Sequence, residues 1–338
     1  MQRRSNIELL RIVSMLMVLA VHVDGASVGL PEPMGDIASM TARDVWRIAV
    51  ETLAIIGVNC FTMISGYFGI RLRWRGVLSF LFQCVFYSVG ICTVYAIFFP
   101  CKVSWTGWLE SWLVLTHTDL WYVPAYFGLM LLSPLLNAWL GALSRRTFTG
   151  VLAVFIVFNL LCGWWMHGAF NPTGYTLVQL VLVYMIARYI RLHVSIEGIR
   201  RHRKTICAVY VASLVAIAAM AVYMPPLQAF AYNSPAVLLS TVSFFLIFLS
   251  FDFTSRRINY IARSAFAVYL IHKAPLVWVN IMRPAVIHLW STLSLPLFTL
   301  GAAGVIVAFY LVAIAIDPLR RRMFDIVWRT VSVKRAAA

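Results

Sequence analysis

The sequence predicts an all-α fold: a polytopic integral membrane bundle of about ten transmembrane helices with both termini on the cytoplasmic side. Three observations predict it. Hydrophobic residues make up 62% of the 338-residue chain and charged residues only 12%, whereas a soluble domain carries about 25% charged residues. Apolar runs of about 18 or more residues, long enough to cross a bilayer as helices, recur along the whole chain. Basic residues cluster in the short segments between these runs.

Each apolar run is predicted to be one span. The ten spans cover about residues 7–28, 46–70, 77–99, 120–142, 148–167, 175–192, 205–223, 234–252, 264–287 and 296–316. Most runs stop at basic residues or at helix-breaking residues, such as the Pro225–Pro226 pair after the seventh run. A Trp-rich stretch after the third run favours the headgroup layer and is predicted to be an interfacial helix, with a binding role as the less favoured alternative.

The distribution of charge predicts the orientation. Of the 28 Lys and Arg residues, 22 fall on one side when the spans alternate, against five on the other side and Arg11 within the first span. Lys and Arg are enriched in cytoplasmic loops, so the side with 22 is predicted to be cytoplasmic. The net charge of +16 is therefore attributed to topology and not to a nucleic-acid partner.

The sequence also predicts the domain limits, the absence of a cleavable signal peptide and the role of the cysteines. Residues 1–316 are predicted to form the transmembrane domain, and residues 317–338 a basic amphipathic tail along the inner membrane surface. The first run carries Glu8 and Arg11 and lacks a small-residue cleavage site, so no cleavable signal peptide is expected. The six cysteines form no CxxC pair and are interpreted as small buried residues, so neither a disulfide framework nor a metal site is expected.

Ionisable residues at membrane depth are costly unless they are paired or solvated, so they indicate candidate functional sites. Glu8 and Arg11 are three residues apart and share a helix face. His22 lies eleven residues beyond Arg11, about three turns and about 16 Å along nearly the same face. Three such residues on one stripe favour a lined polar cavity. The alternatives are an ion pair that reaches the headgroups and a histidine satisfied by interfacial water.

Other polar residues within the spans have structural alternatives of their own. Asn59 needs a partner, and a helix–helix hydrogen bond would supply one; Ser65 and Gly66 could serve only as a close-packing site. The remaining candidates are Tyr67 in the second span, Trp121, Tyr122 and Tyr126 in the fourth, and His272 and Lys273 in the ninth. The sequence has no GxxxxGK[ST], HExxH, GxSxG or CxxC motif that would favour a soluble-enzyme chemistry.

Four segments, in order, resemble the acyltransferase-3 family of membrane O-acyltransferases. They are IELLRIVSMLMVLAVHV, VNCFTMISGYFGIRLRWR, DLWYVPAYFGLMLLSPLLN and SAFAVYLIHKAPL, and together they span about residues 7–290. The family is usually built on ten transmembrane helices. The arginines after the SGYF segment alternate here, which departs from the double-arginine spacing of some members.

The resemblance implies transfer of an acyl group, usually acetyl, from cytoplasmic acyl-CoA to a hydroxyl of a cell-envelope glycan or a similar acceptor. It implies a multi-pass protein of a bacterial inner membrane that holds no bound cofactor. By family pattern His22 is the catalytic residue, with Arg11 as its required partner and Glu8 beside Arg11. Arg71, Arg73 and Arg75 are candidates for binding the donor phosphates, and the alternative is that they only determine the topology. Asn59, Ser65, Tyr67, His272 and Lys273 are candidates for supporting the reacting acyl group, and Trp121, Tyr122 and Tyr126 are candidate aromatics on the acceptor side.

The resulting hypothesis is a polar passage that lets the donor enter from the cytoplasm and meet His22 near the far leaflet. A transporter or flippase for a polar or lipid-linked substrate is the main alternative, because proton-coupled transport also uses buried ionisable groups. A non-catalytic scaffold or sensor is a third possibility. The external loops at 24–45, 100–119 and 224–234 are expected to determine the acceptor, which the sequence does not identify, and the sequence gives no oligomeric state.

Overall fold

The computed structural model describes residues 4–30, 32–99, 103–116, 120–168 and 170–336, with side chains to residue 330, and every regular element in this part is helical. Lys102, Cys101 and Ala338 are among the residues that lie outside the described part. The α-helices are α1 (Ser5–Val23), α2 (Ala42–Ala54), α3 (Gly57–Phe68), α4 (Trp74–Phe98), α5 (Trp105–Glu110), α6 (Tyr122–Ala142), α7 (Arg145–Phe158), α8 (Leu177–His193), α9 (Ile196–Arg201), α10 (Arg203–Tyr223), α11 (Pro226–Ala229), α12 (Pro235–Ser250), α13 (Arg256–Ile261), α14 (Ala265–His272), α15 (Pro275–Val277), α16 (Arg283–Thr292) and α17 (Leu295–Ala336). Short 3-10 turns cover Ile37–Ser39 and Ala262–Ser264, and π-helical turns cover Asn159–Trp165 and Trp278–Met282.

Seven helical stretches of the described chain are long and apolar enough to cross a bilayer. They are Ser5–Val23, Ala42–Phe68, Trp74–Phe98, Tyr122–Ala142, Arg145–Trp165, Arg203–Tyr223 and Leu295–Thr330. An eighth span results if Arg256–His272 and Pro275–Thr292, which meet at a 67° bend, are counted as one. The prediction of an all-α, multi-pass membrane fold is therefore confirmed.

By length and apolar composition, the helices of the described chain give seven or eight spans and not the predicted ten. The predicted sixth and eighth spans coincide with α8 and α12, which have 17 and 16 residues, shorter than the roughly 20 residues that a span usually needs. The count of ten and the cytoplasmic position of the termini therefore stay predictions.

Two predicted spans are broken helices. The second span consists of α2 and α3, separated at Ile55–Ile56. The ninth breaks between His272 and Pro275, where the proline lacks the N–H group that would continue the helix. By contrast, α17 runs without interruption from the tenth predicted span through the predicted tail to Ala336.

The chain divides into two compact units. Unit 1 comprises Met1–Ile70 and Ala125–Ala262, and unit 2 comprises Arg71–Pro124 and Arg263–Ala338. Unit 1 therefore contains α1–α3, most of α6 and α7–α13, whereas unit 2 contains α4, α5 and α14–α17.

Glycines set the helix crossings of unit 1. A Cβ atom added to Gly57 of α3 would lie 2.8 Å from the Ser14 carbonyl oxygen of α1. A Cβ added to Gly66 would lie 2.6 Å from the Tyr184 carbonyl oxygen of α8. Both distances are shorter than any real Cβ contact, so glycine is required for α3 to pack this closely against α1 and α8. The close-packing role of Gly66 is thus observed.

A buried amide network joins α3 and α8 to the loops at one end of unit 1. Asn59 Nδ2 donates to the Tyr232 carbonyl oxygen at 3.0 Å, and Gln179 Nε2 donates to the same oxygen at 2.8 Å. Asn171 donates to Asn159 Oδ1 at 2.7 Å. The amide side chains Asn59, Asn159, Asn171, Gln179 and Asn233 are all fully buried. Such groups are costly to bury without hydrogen bonds, so the network fixes these loops on the helices.

Unit 2 contains its own buried polar cluster. Asp317 of α17 is fully buried and accepts hydrogen bonds from Arg320 at 2.7 Å and from Tyr87 of α4 at 3.2 Å. Arg321 lies 3.1 Å from the second carboxylate oxygen. The buried Asp317 carboxylate is thus paired with two arginines of its own helix, and its hydrogen bond from Tyr87 links α17 to α4.

Candidate functional site

Two residues of the predicted polar stripe of α1, Glu8 and Arg11, form an ion pair. Arg11 Nε lies 3.3 Å from Glu8 Oε2, and the Glu8 side chain is mostly buried whereas the Arg11 side chain is about one-third exposed. The i, i+3 separation places both on one face of α1. The pair partly neutralises two charges that would otherwise be costly within a span.

His22 lies in the last turn of α1 and is half-buried. It lines a small cavity of about 10 Å³ within unit 1, which has room for about one water molecule. The other residues of this cavity are apolar apart from Tyr232, namely Val18, Val21, Ala54, Ile55 and Val58. An imidazole in such a setting is shielded from bulk water but can still reach a small polar group.

Tyr232 connects this cavity to a second aromatic residue. The rings of Tyr232 and Tyr175 lie 4.6 Å apart. Tyr175 is exposed, whereas Tyr232 is buried against the cavity. The aromatic pair therefore leads from the surface of unit 1 to the neighbourhood of His22.

Two buried carboxyl groups lie beside this end of α1. Asp24 directly follows the helix and is fully buried, as is most of Glu51 from α2. A Cβ added to Gly25 would lie 3.3 Å from Glu51 Oε2, so the Glu51 carboxyl group packs against the backbone next to Asp24. Both Asp24 oxygens and Glu51 Oε2 are buried without a hydrogen-bond partner among the described residues.

Burial controls the protonation of Asp24, which lies outside the helical span. It raises the pKa of this carboxyl group to about 8, against the opposing effect of the nearby Arg47 guanidinium. Arg47 itself pairs with Asp44 at 3.5 Å and donates to the Gly29 carbonyl oxygen. Asp24 is therefore largely protonated at neutral pH and can act as a hydrogen-bond donor.

The predicted acyl-support residues of α3 have structural contacts in unit 1. Asn59 belongs to the amide network, where its Oδ1 also accepts from Gln179 at 3.4 Å. The Ser65 hydroxyl lies 3.1 Å from that of Tyr126 on α6, so these two predicted residues are brought together. Tyr67 is buried, with Phe245 5.6 Å away and the Arg191 guanidinium 5.4 Å from its ring centroid. Their roles in acyl transfer stay predictions.

The remaining predicted side chains of the ninth span lie in unit 2. His272 is fully buried in α14, and its side-chain Nδ1 lies 2.7 Å from the Val268 carbonyl oxygen, one turn earlier in the helix. Lys273 lies at the break after α14, where its Nζ is 4.1 Å from the centroid of the Trp278 ring. The break and the aromatic face explain how a lysine is accommodated at this position.

Two predicted aromatics, Trp121 and Tyr122, also belong to unit 2. Their rings lie 5.8 Å apart, and Tyr122 packs against Tyr269 at 5.9 Å. Tyr122 is buried, whereas Trp121 is partly exposed. Of these two, Trp121 offers the more accessible aromatic surface.

The three predicted donor-binding arginines lie at the start of α4 in unit 2, and all are exposed. Arg75 pairs with Asp325 of α17 at 2.8 Å. Within the described residues, Arg71 and Arg73 take part in no ion pair. The predicted passage from these arginines to His22 stays a prediction.

Comparison with known protein families identifies the family of this chain. A family model described as an acyltransferase domain, that of the acyltransferase-3 family, matches residues 4–316. The chain belongs to the acyltransferase-3 family. Comparisons with curated proteins and with solved structures give no match. Membership implies that this acyltransferase acts within a membrane, in agreement with its apolar helices.

The structure of this acyltransferase also identifies residues that the sequence analysis did not select. The sequence analysis did not select Asp24 or Glu51, yet both carboxyl groups are buried where the chain leaves α1, the helix that carries His22. Their burial depends on how α1 and α2 pack, so hydropathy gave no signal. The four-residue spacing of Arg47 and Glu51 within an apolar run was the available hint. Among the described residues, no group of three or more His, Cys, Asp or Glu side chains is placed to hold a metal ion.

Proposed function

We propose that this acyltransferase moves an acetyl group from cytoplasmic acetyl-CoA to a hydroxyl of a cell-envelope glycan, in the inner membrane of a bacterium. The observation that carries the proposal is the setting of His22: a half-buried imidazole at the end of α1, lining a one-water cavity. Acyl transfer to a hydroxyl needs a base, and histidine has a suitable pKa for that role.

The chemistry balances with His22 as general base. The imidazole accepts the hydroxyl proton while the acceptor oxygen attacks the thioester carbonyl carbon, which forms the new C–O bond. The C–S bond then breaks, and His22 returns the proton to the coenzyme A thiolate. An oxyanion forms at the carbonyl oxygen during the attack and needs a hydrogen-bond donor; our candidate for this donor is the protonated carboxyl group of Asp24, two residues after His22 in the chain.

In the second version of the mechanism His22 carries the acyl group. The imidazole nitrogen then attacks the thioester, coenzyme A leaves as the thiol, and the acceptor hydroxyl takes the acetyl group from the imidazole. The two versions differ in whether acetyl labels the protein when no acceptor is present.

The Glu8–Arg11 pair, three turns from His22 along α1, supports the proposed direction of donor entry. Arg11 remains about one-third exposed although it is paired. A guanidinium in this position can attract an anionic donor toward the helix. Arg71 and Arg73 are further candidates for the donor phosphates, since both are exposed and positively charged.

The Tyr175–Tyr232 pair supports a glycan as the acceptor. An exposed aromatic ring next to buried polar groups is a common form of small-molecule site, with an apolar face for packing and a few polar atoms for orientation. A sugar ring packed on Tyr175 would lie beside Tyr232, which lines the same cavity as His22. Trp121 and Tyr126 stay candidates for other acceptor contacts.

The test is transfer of radiolabelled acetyl from acetyl-CoA by the purified protein in lipid nanodiscs, with cell-envelope glycan as acceptor. We expect label in the glycan only when both substrates are present. Acid-labile label on the protein without acceptor would select the acyl-histidine version. The absence of both transfer and acetyl-CoA binding would refute the proposal.

One observation favours the alternative of a transporter: the 67° bend between Arg256–His272 and Pro275–Thr292. Interrupted helices are typical of substrate sites in transporters, although they are also tolerated wherever protein or water satisfies the backbone. Flux of a polar or lipid-linked substrate into proteoliposomes in the absence of acetyl-CoA would favour this alternative.

A further inference from the structure

Besides the Arg71, Arg73 and Arg75 group of unit 2, the protein has a basic cluster in unit 1. It lies at the ends of α3 and α8 that are predicted to face the cytoplasm. Arg188 and Arg191 project from the last turns of α8. Arg191 lies over the Tyr67 ring, and a Cβ added to Gly69 would lie only 3.2 Å from a terminal nitrogen of Arg188. Two guanidinium groups are thus held against the segment that follows the SGYF sequence.

The backbone at this place is fixed by two polar side chains. Tyr184 Oη accepts from the Ile70 N–H at 3.0 Å and donates to Asn137 Oδ1 at 2.7 Å. Asn137 Nδ2 donates to the Ile70 carbonyl oxygen at 2.8 Å. Gly69, with φ of +73°, makes the turn that brings Ile70 into this clamp. The arginines therefore lie beside a rigid surface and not beside a mobile loop.

The cluster has excess positive charge. Within the described residues neither Arg188 nor Arg191 pairs with a carboxylate, and Arg188 Nε is buried without a hydrogen-bond partner. Arginines that serve only as topology signals at a span end keep their side chains in water or among headgroups. Arg188 is instead partly buried, with a terminal nitrogen beside Gly69 and no counter-ion among the described residues. Its charge favours an anion at the terminal nitrogens, where the planar fork of arginine matches a phosphate.

We infer that Arg188 and Arg191 form a phosphate-binding site for the acyl-CoA donor. The inference rests on the proposed function, because it takes its ligand from that reaction. The clamp of Tyr184 and Asn137 fixes the backbone at Ile70, next to the glycine that Arg188 contacts. Arg191 is exposed and supplies the second guanidinium group for the phosphate.

The test is calorimetric titration of coenzyme A into the full-length protein in zwitterionic nanodiscs. Arg188→Gln and Arg191→Gln are each expected to weaken binding by roughly 10-fold, the effect of losing one charge-assisted hydrogen bond. Arg146→Gln is the matched control, because Arg146 is an exposed arginine of unit 1 with the same charge. Pantetheine, which lacks the phosphates, should bind wild type and variants equally.

Several outcomes would overturn the site. One such outcome is a Kd of Arg188→Gln for coenzyme A within twofold of the wild-type Kd. Another is that Arg146→Gln weakens coenzyme A binding as much as Arg188→Gln does. In nanodiscs that contain phosphatidylglycerol, loss of bound anionic lipid from Arg188→Gln with unchanged coenzyme A binding would assign the cluster to lipid headgroups.

A second probe separates this inference from the proposed function. If wild type binds no coenzyme A, the proposed donor is wrong, and inorganic pyrophosphate then tests the cluster alone. Thermal stabilisation of wild type by pyrophosphate, lost in Arg188→Gln and kept in Arg146→Gln, would still support a phosphate site. Equal behaviour of all three proteins would refute it.

Discussion

At the scale of single residues, the protonation of Asp24 is the feature with the clearest measurable consequence. The carboxyl group is fully buried next to Glu51, and the Arg47 charge only partly offsets the cost of ionising it. Its folded-state pKa of about 8 lies well above its ordinary value of 3.8. Between these two values the folded protein holds a proton that the unfolded chain has released.

Stability should therefore fall as pH rises from about 4 to 8, since the folded state binds more protons than the unfolded state across this range. Asp24→Asn keeps the shape of the side chain and removes its titration. We expect the variant to show a shallower fall of melting temperature between pH 5 and pH 8 than wild type, measured in nanodiscs. The same slope in both proteins would show that Asp24 is ionised at neutral pH.

At the scale of helices, the packing of α3 against α8 positions both ends of unit 1. The crossing at Gly66 brings the α8 backbone within 2.6 Å of a hypothetical Cβ, and the Tyr184 side chain of the same turn clamps Ile70. One end of this helix pair carries the amide network, and the other carries the arginine cluster. A change at the crossing should thus affect both.

Gly66→Ala should destabilise the protein by roughly 1–3 kcal/mol, the typical cost of overpacking a tight core position. Gly150→Ala on α7 is the control, because no atom lies within 4 Å of its hypothetical Cβ. We expect Gly66→Ala alone to lower the melting temperature, and Gly150→Ala to be neutral or slightly stabilising through its better helix propensity. Equal stability of the two variants would contradict the close crossing.

Hydropathy predicted where helices occur better than where they break. All ten predicted runs fall on helices, because twenty apolar residues in a row leave few alternatives in a bilayer. The break at Ile55–Ile56 carries no loss of hydropathy, so it was not predicted. The break after His272 has local signals in His272, Lys273 and Pro275, but the two ionisable residues were interpreted as candidate site residues within one continuous span.

The candidate site was predictable in part, for the same physical reason. Glu8, Arg11 and His22 lie on one helix, so their relation follows from helical periodicity alone. The proximity of Asp24 to Glu51, and of Arg188 to Gly69, depends on packing between segments far apart in the chain. No pattern in a single sequence reports such contacts.

At the scale of the whole molecule, the asymmetric distribution of Lys and Arg predicts the orientation in the membrane. The segment 24–45 should be external and the basic segment around Arg200–Lys204 cytoplasmic. Ala26 is exposed in the predicted external segment, and Arg201 is exposed in the predicted cytoplasmic segment.

In a cysteine-free background, Ala26→Cys should react with a membrane-impermeant maleimide added to intact spheroplasts. Arg201→Cys should react only after the membrane is permeabilised. The reverse pattern would invert the predicted orientation and place His22 on the donor side.

The acyl-transfer rate of His22→Gln measures the central role assigned to His22 most directly. In nanodiscs with acetyl-CoA and glycan acceptor, the variant should lose about 10²–10⁴-fold in rate, the usual contribution of a general base, or more if His22 carries the acyl group. His288→Gln, which changes an exposed histidine of unit 2, should retain the wild-type rate. A His22→Gln variant that is as stable as wild type and transfers acetyl at the wild-type rate would contradict the mechanism.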